Sequence, residues 1–328
     1  MLDPYALECL TAVVREGSFE RAAAYLSVTQ SAVSQRLRAL EDQVGVVLVV
    51  RSRPIAATAA GMLIYKHAMH LRLLHADLHN SMKGLDPSTA DRSCDQMRVS
   101  VAIHEHSIST WALPALDSLA CGAQGVEIIT DHRQPTYDWL RQGRVLGCVS
   151  TLHQSIPGCS MSALGAMRYV AVAHPGFAAR HCPHGLTPHN FHTIPFVACD
   201  QRDDLQYQFV THLFGLKPAR LRQLLVPTLE GQIRAVRAQW GVSVVPELYV
   251  SAQLRCGELI DIAPGAALPI QLYWHCWGLE SATLSALTEA VICAAAASLI
   301  RATSQTRSGG PITPIRREDA EVDNGISA

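Results

Sequence analysis

The sequence predicts an α/β protein in which a helix-rich N-terminal block and one long helix precede a larger region of alternating strands and helices. Residues 1–57 are helix-rich, residues 58–85 have the pattern of one continuous helix, and short β-branched runs alternate with helical stretches from residue 96 to about residue 301. A length of 328 residues suggests about two domains. Hydrophobic residues make up 48% of the chain and charged residues 17%, which excludes a largely disordered protein.

The strand pattern indicates a sheet that is largely parallel. Helical stretches at 203–214, 229–240 and 281–301 separate strand-like runs, and such alternation is typical of parallel α/β sheets. Ligands of these sheets bind beyond the carboxyl ends of the strands. The predicted strands span residues 99–103, 126–129, 145–149, 169–172, 195–198, 242–245 and 270–274.

The net charge, the cysteine spacing and the lack of long apolar runs limit which classes of protein the sequence can belong to. The formal net charge is −1, so contact with nucleic acid would need a local basic patch. Ten cysteines without a CxxC pair predict buried thiols in a reducing compartment. We find no run of about 18 apolar residues that could span a membrane and no signal-peptide pattern, so we expect a cytoplasmic protein without a membrane partner. The polar stretch 86–95 predicts a hinge, and residues 302–328 predict a disordered tail.

Residues 19–38 have the pattern of a helix-turn-helix. Small and apolar residues on one face of the first helix allow a second helix to cross closely, and Thr29 is a favourable N-cap for that second helix. A generic αα-hairpin with a polar surface is the alternative, but the outer face of the second helix carries no acid until Glu41. The residues expected between the two helices are Ala22, Ala23, Leu26, Val33, Leu37 and Leu40.

The outer face of the second helix has the side chains that read DNA. Glutamine and arginine can bond base edges with two hydrogen bonds, while serine and threonine reach phosphates or bases. Arg51 and Arg53 follow a short β-like run after the hairpin and suit a basic wing on the DNA backbone or in the minor groove. The predicted DNA-binding residues are Thr29, Gln30, Ser31, Ser34, Gln35, Arg36, Arg38, Arg51 and Arg53.

The long helix at 58–85 has a heptad-like seam. Thr58 is expected to cap it, and apolar residues recur at coiled-coil spacing, with His75 in one core position. A seam of this length before a polar hinge predicts dimerisation, although the helix could also pack only on its own domain. The seam residues are Ile64, Ala68, Leu71, Leu78 and Met82.

The N-terminal block contains, in order, Phe19-Glu20-Arg21-Ala22-Ala23, Val28-Thr29-Gln30-Ser31-Ala32-Val33-Ser34-Gln35-Arg36-Leu37, Leu40-Glu41, Gly45 and Gly61. This pattern resembles the winged helix-turn-helix of LysR-type transcriptional regulators. The resemblance implies a DNA-binding domain at 1–58, a dimerising linker helix at 58–85, and an effector domain at 96–301 built like a periplasmic binding protein, with two α/β subdomains around a cleft. It also implies that a homodimer or homotetramer binds double-stranded promoter DNA and regulates transcription.

The C-terminal region contains Ser107, Thr110-Trp111, Leu113-Pro114-Ala115-Leu116, Val149-Ser150, Asp203-Asp204, Glu230, Gly257-Glu258-Leu259-Ile260-Asp261 and Leu272-Tyr273-Trp274-His275. These motifs resemble the ArgP/LysG branch of the family, whose members respond to arginine and lysine. The resemblance implies a small-molecule effector, most simply a basic amino acid. His106 and His132 stand where that branch has acids, which weakens the attraction expected for a cationic ligand.

A site for a basic amino acid needs two kinds of group. The α-carboxylate requires hydroxyls and N–H groups at a helix N-terminus, which Ser107, Ser109 and Thr110 could supply after the first strand of the effector domain. The cationic groups require carboxylates. The candidate acids, near predicted strand ends or helix starts, are Glu105, Asp131, Asp200, Asp204 and Glu230.

Enzyme and metal sites find little support in the sequence. The GxSxG, Walker A and GxGxxG motifs do not occur, and the histidines between His181 and His192 match no standard zinc spacing. We therefore predict a protein that is not an enzyme, with no catalytic residue, cofactor or metal. The alternative is an α/β solute-binding or biosynthetic protein whose N-terminal hairpin only mediates assembly. Sequence-specific DNA binding separates the two hypotheses.

Overall fold

The structure is a computed structural model that describes residues 2–50, 52–85, 98–120, 125–131 and 134–300. Its N-terminal part is helical. Asp3 caps the first helix by accepting a hydrogen bond from the Tyr5 N–H at 3.1 Å, and the helix ends at Gly17, whose positive φ of 62° favours glycine. The elements of this part are α1 (Pro4–Glu16), α2 (Phe19–Tyr25), α3 (Gln30–Val44), β1 (Val49–Val50), β2 (Ala56–Ala57) and α4 (Ala59–Leu85).

The predicted helix-turn-helix is confirmed. The small residues Ala22 and Ala23 are buried where α2 meets its neighbours, and α3 buries the stripe formed by Val33, Leu37 and Leu40. After α3, the antiparallel strands β1 and β2 form a short wing. These helices, the wing and the start of α4 share one hydrophobic core.

The long helix α4 begins where expected, but its apolar side chains are distributed differently from the predicted seam. Thr58 caps it, because the Thr58 Oγ1 accepts a hydrogen bond from the Gly61 N–H at 3.0 Å. Ala68 is buried in the core of the N-terminal part and is unavailable to a partner, so its assignment to the seam was wrong. Ile64 and Leu71 are half-buried. The exposed apolar side chains along the helix are Leu63, Leu74, Leu78 and Met82.

The effector region forms one mixed sheet. Within the described residues it has nine strands in the order β4-β3-β5-β11-β6-β9-β7-β8, with β10 beside β6. They are β3 (Val99–Ala102), β4 (Val126–Ile129), β5 (Gly147–Ser150), β6 (Cys159–Ala173), β7 (Pro195–Ala198), β8 (Arg222–Leu225), β9 (Val242–Pro246), β10 (Ile260–Asp261) and β11 (Leu268–Trp277).

Helices alternate with these strands. The short helix α5 (Glu105–Ser107) continues into a π-helical turn (Ile108–Ala112) and a 3-10 turn (Leu113–Leu116). The remaining helices are α6 (Asp117–Ala120), α7 (Thr136–Arg141), α8 (Pro175–His181), α9 (Leu205–Phe214), α10 (Leu229–Arg237), α11 (Glu247–Arg255) and α12 (Ala282–Ser298).

Two long antiparallel strands divide the sheet into halves. Strand β3 is parallel to β4 and β5, and β7 is parallel to β8 and β9, but β6 and β11 run antiparallel to each other over ten residues and join the two groups. The half that contains β3, β4 and β5 is here called subdomain 1, and the half that contains β7, β8 and β9 is called subdomain 2. The prediction of a largely parallel sheet was therefore wrong, because the crossing strands pair antiparallel on both sides.

The crossing point is bent. A register shift lies between Leu272 and Tyr273 of β11, opposite Gly165 of β6. Gly165 has φ +122°, and a Cβ there would lie 2.7 Å from the Ile300 carbonyl oxygen, so this position requires glycine. No helix in the described part of the chain is long and apolar enough to cross a membrane.

Candidate functional site

The polar face of α3 is fixed by a cap and a buried stripe. The Thr29 Oγ1 accepts a hydrogen bond from the Ala32 N–H at 3.2 Å and so starts the helix. Because the buried stripe fixes its rotation, α3 turns Gln30, Ser31, Gln35 and Arg38 outward; Ser34 is half-buried on the same side. The structure therefore brings five predicted DNA-binding side chains of α3 to one surface, here called the recognition face, with Thr29 at its start.

Arg36 is not on the recognition face. Two residues turn an α-helix by about 200°, so Arg36 points away from Arg38. Its guanidinium lies 5.5 Å from the centre of the Tyr5 ring, which draws it toward α1. Arg53 is exposed in the wing beyond β1, and Arg51 lies outside the described residues. The first acid of the helix, Glu41, is turned toward the wing, where its Oε1 accepts from the Leu48 N–H at 2.8 Å.

A helix that exposes glutamine, serine and arginine, and whose acids Glu41 and Asp42 come only in its last turn, suits a DNA major groove. Glutamine can pair with adenine and arginine with guanine through two hydrogen bonds each. Arg53 is exposed in the wing, where it can contact the DNA backbone. The recognition face can thus combine base contacts with phosphate contacts.

The second site is a cavity of about 460 Å³ between subdomain 1 and subdomain 2. The crossing strands β6 and β11 form its floor through Met167, Tyr169, Ile270 and Leu272. The polar side chains around it come from loops and helix starts that follow β3, β4, β5 and β7. These polar residues are His104, His106, Ser107, Asp131, Gln134, Thr136, Tyr137, Ser150, Thr151, Cys199, Asp200, Arg202, Asp203, Asp204 and Gln208.

The wall from subdomain 2 is acidic and tightly organised. The Asp200 Oδ1 accepts from the Arg202 N–H at 2.7 Å and the Asp203 N–H at 3.0 Å, while the Asp203 Oδ2 accepts from the Cys199 N–H at 2.9 Å. The Asp204 Oδ1 accepts from the Gln208 amide at 2.8 Å. Burial, together with Asp200 and Asp203, raises the pKa of the Cys199 thiol to about 11, so this thiol stays protonated at neutral pH. The wall is therefore negatively charged.

The wall from subdomain 1 offers hydroxyl and imidazole groups together with one carboxylate, that of Asp131. The His106 Nδ1 lies 3.1 Å from the Tyr169 hydroxyl, and the His106 N–H donates to the His104 Nδ1 at 3.3 Å. Burial, and secondarily Asp203, raises the pKa of the Tyr169 hydroxyl, which keeps it protonated. The Ser150 Oγ accepts from the Leu152 N–H at 2.9 Å, which leaves its proton to be donated. This wall can hydrogen-bond an anionic group.

Half of the predicted effector-binding residues line the cavity. Ser107, Asp131, Asp200 and Asp204 do, whereas four others are used elsewhere. The residues outside the lining are Glu105, Ser109, Thr110 and Glu230.

Three of these four residues make other contacts in the fold, and the fourth is exposed. The Glu105 Oε1 accepts from the Leu229 N–H at 3.0 Å and so caps α10. The Thr110 hydroxyl donates to the His106 carbonyl oxygen at 2.6 Å, and Ser109 is exposed outside the cavity. Glu230 forms an ion pair with Arg234 one turn along α10, at 2.5 Å. None of these four residues lines the cavity in this structure, and His132 lies outside the described residues.

Sequence reasoning missed several lining residues. Asp203 could have been predicted as a lining residue from its position beside Asp204 at the start of a helix, where aspartate commonly accepts hydrogen bonds from backbone N–H groups. Tyr169 and Gln208 had no such signal, because the one lies in a strand and the other in a helix, and only the fold turns them into the cavity.

Comparison with known proteins decides the family. Residues 5–62 match the model of bacterial regulatory helix-turn-helix proteins of the lysR family, and residues 95–296 match the model of the LysR substrate binding domain. The chain belongs to the LysR family. LysR-family proteins are DNA-binding transcriptional regulators, which are not a class of enzyme. This membership decides against the alternative of a solute-binding or biosynthetic protein with an assembly hairpin.

This LysR-family chain is similar to regulators of one branch over nearly its whole length. It is 38% identical over 281 residues to the HTH-type transcriptional regulator ArgP of Aeromonas salmonicida, covering 85% of this chain and 92% of that protein. The crystal structure of ArgP from Mycobacterium tuberculosis superposes with a TM-score of 0.79 at 34% identity, over 92% of this chain and 99% of that one.

Full-length LysG from Corynebacterium glutamicum with bound effector Arg superposes with a TM-score of 0.68 at 32% identity, over 91% and 99% of the two chains. The predicted resemblance to the ArgP/LysG branch is confirmed.

Proposed function

We propose that this regulator binds promoter DNA through the recognition face of α3 and that a basic amino acid, lysine or arginine, binds in the cavity and controls it. One observation carries the effector assignment: four carboxylates surround the cavity and face one guanidinium, that of Arg202. Such an excess of negative charge favours a cationic ligand. The protein acts as a regulator and not as an enzyme, in the cytoplasm where its target DNA lies.

The two walls of the cavity suit the two ends of a basic amino acid. The cationic groups would face the acids of subdomain 2, and the α-carboxylate would face Ser107 and Ser150 of subdomain 1. A relative that is 32% identical has been observed with arginine as its effector, which supports the same chemical class here. His106 contributes an imidazole where an acid was expected, so selectivity between lysine and arginine depends on the acids of subdomain 2.

Assembly supports the DNA-binding half of the proposal. The exposed apolar side chains of α4 lie on one face of a helix about 40 Å long, and a second copy of α4 would cover them. A homodimer, or a homotetramer built from two dimers, would present paired recognition faces to a promoter dyad. The amino acid would act by binding one arrangement of the two DNA-binding heads more tightly than the other.

Calorimetry on two matched acid variants tests the effector assignment. We expect lysine or arginine to bind the full-length protein and citrulline, which is a neutral analogue of arginine, to bind weakly. Asp204→Asn removes a cavity charge and should weaken binding by about tenfold or more, because a hydrogen bond to a charged group contributes about 1.5–3 kcal/mol. The control Glu230→Gln removes an acid outside the cavity and should leave binding unchanged. Equal binding of citrulline and arginine would contradict the proposal.

A further inference from the structure

The linker helix α4 is attached to the effector domain by a specific set of contacts. One face of α4 packs on the large hydrophobic core of the effector region, and Leu73 is 1% exposed within that core. The backbone of Lys66 lies so close to Gly143 that a Cβ at Gly143 would come within 3.2 Å of it. The His70 ring meets the Trp277 ring edge-to-face, with 4.4 Å between their centres.

Asp77 makes the most directional of these contacts. Its Oδ1 accepts hydrogen bonds from the Thr283 hydroxyl at 2.5 Å and the Thr283 N–H at 3.3 Å. Thr283 lies in the first turn of α12, which is locally capped by Ser281. Helix N-termini attract carboxylates, so Asp77 adds a second cap that comes from a different domain. The Asp77 Oδ2 is buried and has no hydrogen-bond partner among the described residues.

A carboxylate in this position is costly unless its partner stays in place. Half-buried charge that loses its hydrogen bonds carries the cost of desolvation without compensation. Separation of α4 from α12 would therefore have to move Asp77 into water. The two hydrogen bonds from Thr283 to Asp77 favour the arrangement in which α4 lies against α12. Such a contact is expected to stabilise one arrangement of α4, packed on α12, relative to a second one in which the two helices are apart.

Continuous structure connects this contact to the cavity by two routes. His106 and Ser107 line the cavity and lead directly into the π-helical turn, which packs against α12. Strand β11 carries Leu272 in the cavity and Trp277 against His70, a separation of roughly 17 Å along an extended strand. A change at the subdomain 1 wall or at the floor of the cavity can thus reach the residues that hold α4.

We propose that Asp77 is a positioning residue that fastens the linker helix to the N-terminus of α12, so that the DNA-binding head moves together with subdomain 1. The inference concerns how the domains are coupled and does not depend on which ligand occupies the cavity. When subdomain 2 moves relative to subdomain 1, the DNA-binding head stays in place on subdomain 1. Release of the Asp77 contact frees the head from the effector domain.

Hydrogen exchange measured by mass spectrometry on the full-length protein, without DNA or amino acid, tests this proposal. Asp77→Ala and Thr283→Val should each raise amide exchange about tenfold in residues 66–78 of α4 and in the first turn of α12, because a hydrogen bond to a charged group contributes at least that factor to an opening equilibrium. The double variant should show no further increase, since both single changes remove the same interaction. Thr283→Ser keeps both donors and should exchange like the wild type.

Glu289→Gln is the matched control, because it removes an exposed charge from the same helix away from the contact. Wild-type exchange of α4 in Asp77→Ala would overturn the proposal, and so would additive effects in the double variant. A uniform rise that includes α10 would also overturn it, since that result describes general destabilisation of the effector domain. The readout requires neither operator nor effector, so its failure would leave the proposed function standing.

Discussion

The DNA-binding head and the effector cavity differ in how their residues are brought together. The recognition face comes from nine consecutive positions of one helix, Gln30 to Arg38, whose rotation is fixed by three buried apolar residues. The cavity comes from segments spread between His104 and Leu272, which meet only because two long strands cross between the halves of the sheet. A surface on one helix can be located from local periodicity, whereas a cleft between two subdomains depends on topology.

The prediction with the largest expected effect tests whether the DNA-binding head works as part of a dimer. Leu78→Asp places a carboxylate in the exposed apolar stripe of α4, and an unpaired charge buried in an interface costs about 3–5 kcal/mol. Sedimentation should show a smaller species, and operator affinity should fall because the two heads are no longer linked. Asn80→Asp adds the same charge to an exposed position of the same helix and should keep the wild-type assembly. If Leu78→Asp also keeps it, the stripe is not an interface.

The next prediction compares the loss of operator affinity on replacing two arginines that lie two residues apart on α3. Arg38→Ala should weaken specific operator binding by about 1–3 kcal/mol if Arg38 contacts a base, with the fold retained because the side chain is exposed. Arg36→Ala should have the smaller effect, since the Arg36 guanidinium lies beside the Tyr5 ring. Fluorescence anisotropy with a labelled operator measures both affinities. Equal losses in the two variants would mean that the recognition face is not the surface that reads DNA.

The same contrast explains what the sequence could and could not predict. The caps of α3 and α4, the buried stripe of α3 and most effector-domain strands were visible locally, because apolar spacing and capping residues act over a few positions. The first ten residues of β6 were missed, since Cys159 to Arg168 contain no β-branched residue and become a strand only by pairing with β11. The parallel sheet was predicted from alternation alone, which carries no information about crossing strands.

The predicted acids that lie outside the cavity have a similar explanation. Glu105 and Glu230 were plausible from their positions near strand ends and helix starts, but each is used locally, by the N-terminus of α10 or by Arg234. Tyr169 was absent from the predicted site because a strand residue gives no indication of which face will line a cleft. Chemistry-bearing residues at strand ends therefore led to the region of the cavity, and half of the side chains predicted there line it.

A smaller effect concerns the pH dependence of folding, which should depend on one buried histidine of the effector domain and one of the linker helix that packs on it. Burial lowers the pKa of His275, and burial with Lys66 and His67 lowers that of His70. Both histidines bind protons more readily in the unfolded chain, so their contribution to stability is complete above about pH 6.5 and is lost as the pH falls through the folded pKa. Urea unfolding at pH 7.5 and 5.5 should show a lower free energy of unfolding at pH 5.5.

Two variants separate the buried histidines from the exposed ones. His275→Gln should reduce the difference in unfolding free energy between the two pH values, whatever its effect on absolute stability. His184→Gln, at an exposed position, should leave that difference unchanged. An unchanged difference in His275→Gln would show that the buried imidazole is not responsible.

The most direct test of the relation between the two regions is the operator dissociation constant measured with and without saturating lysine or arginine. We expect the amino acid to change operator affinity in the wild type. In Asp204→Asn the response should be lost or require much more amino acid, although operator binding without amino acid should match the wild type, because the recognition face lies in a separate domain. A wild-type response in Asp204→Asn, or an equal response to citrulline, would contradict control of the DNA-binding head by a basic amino acid in this cavity.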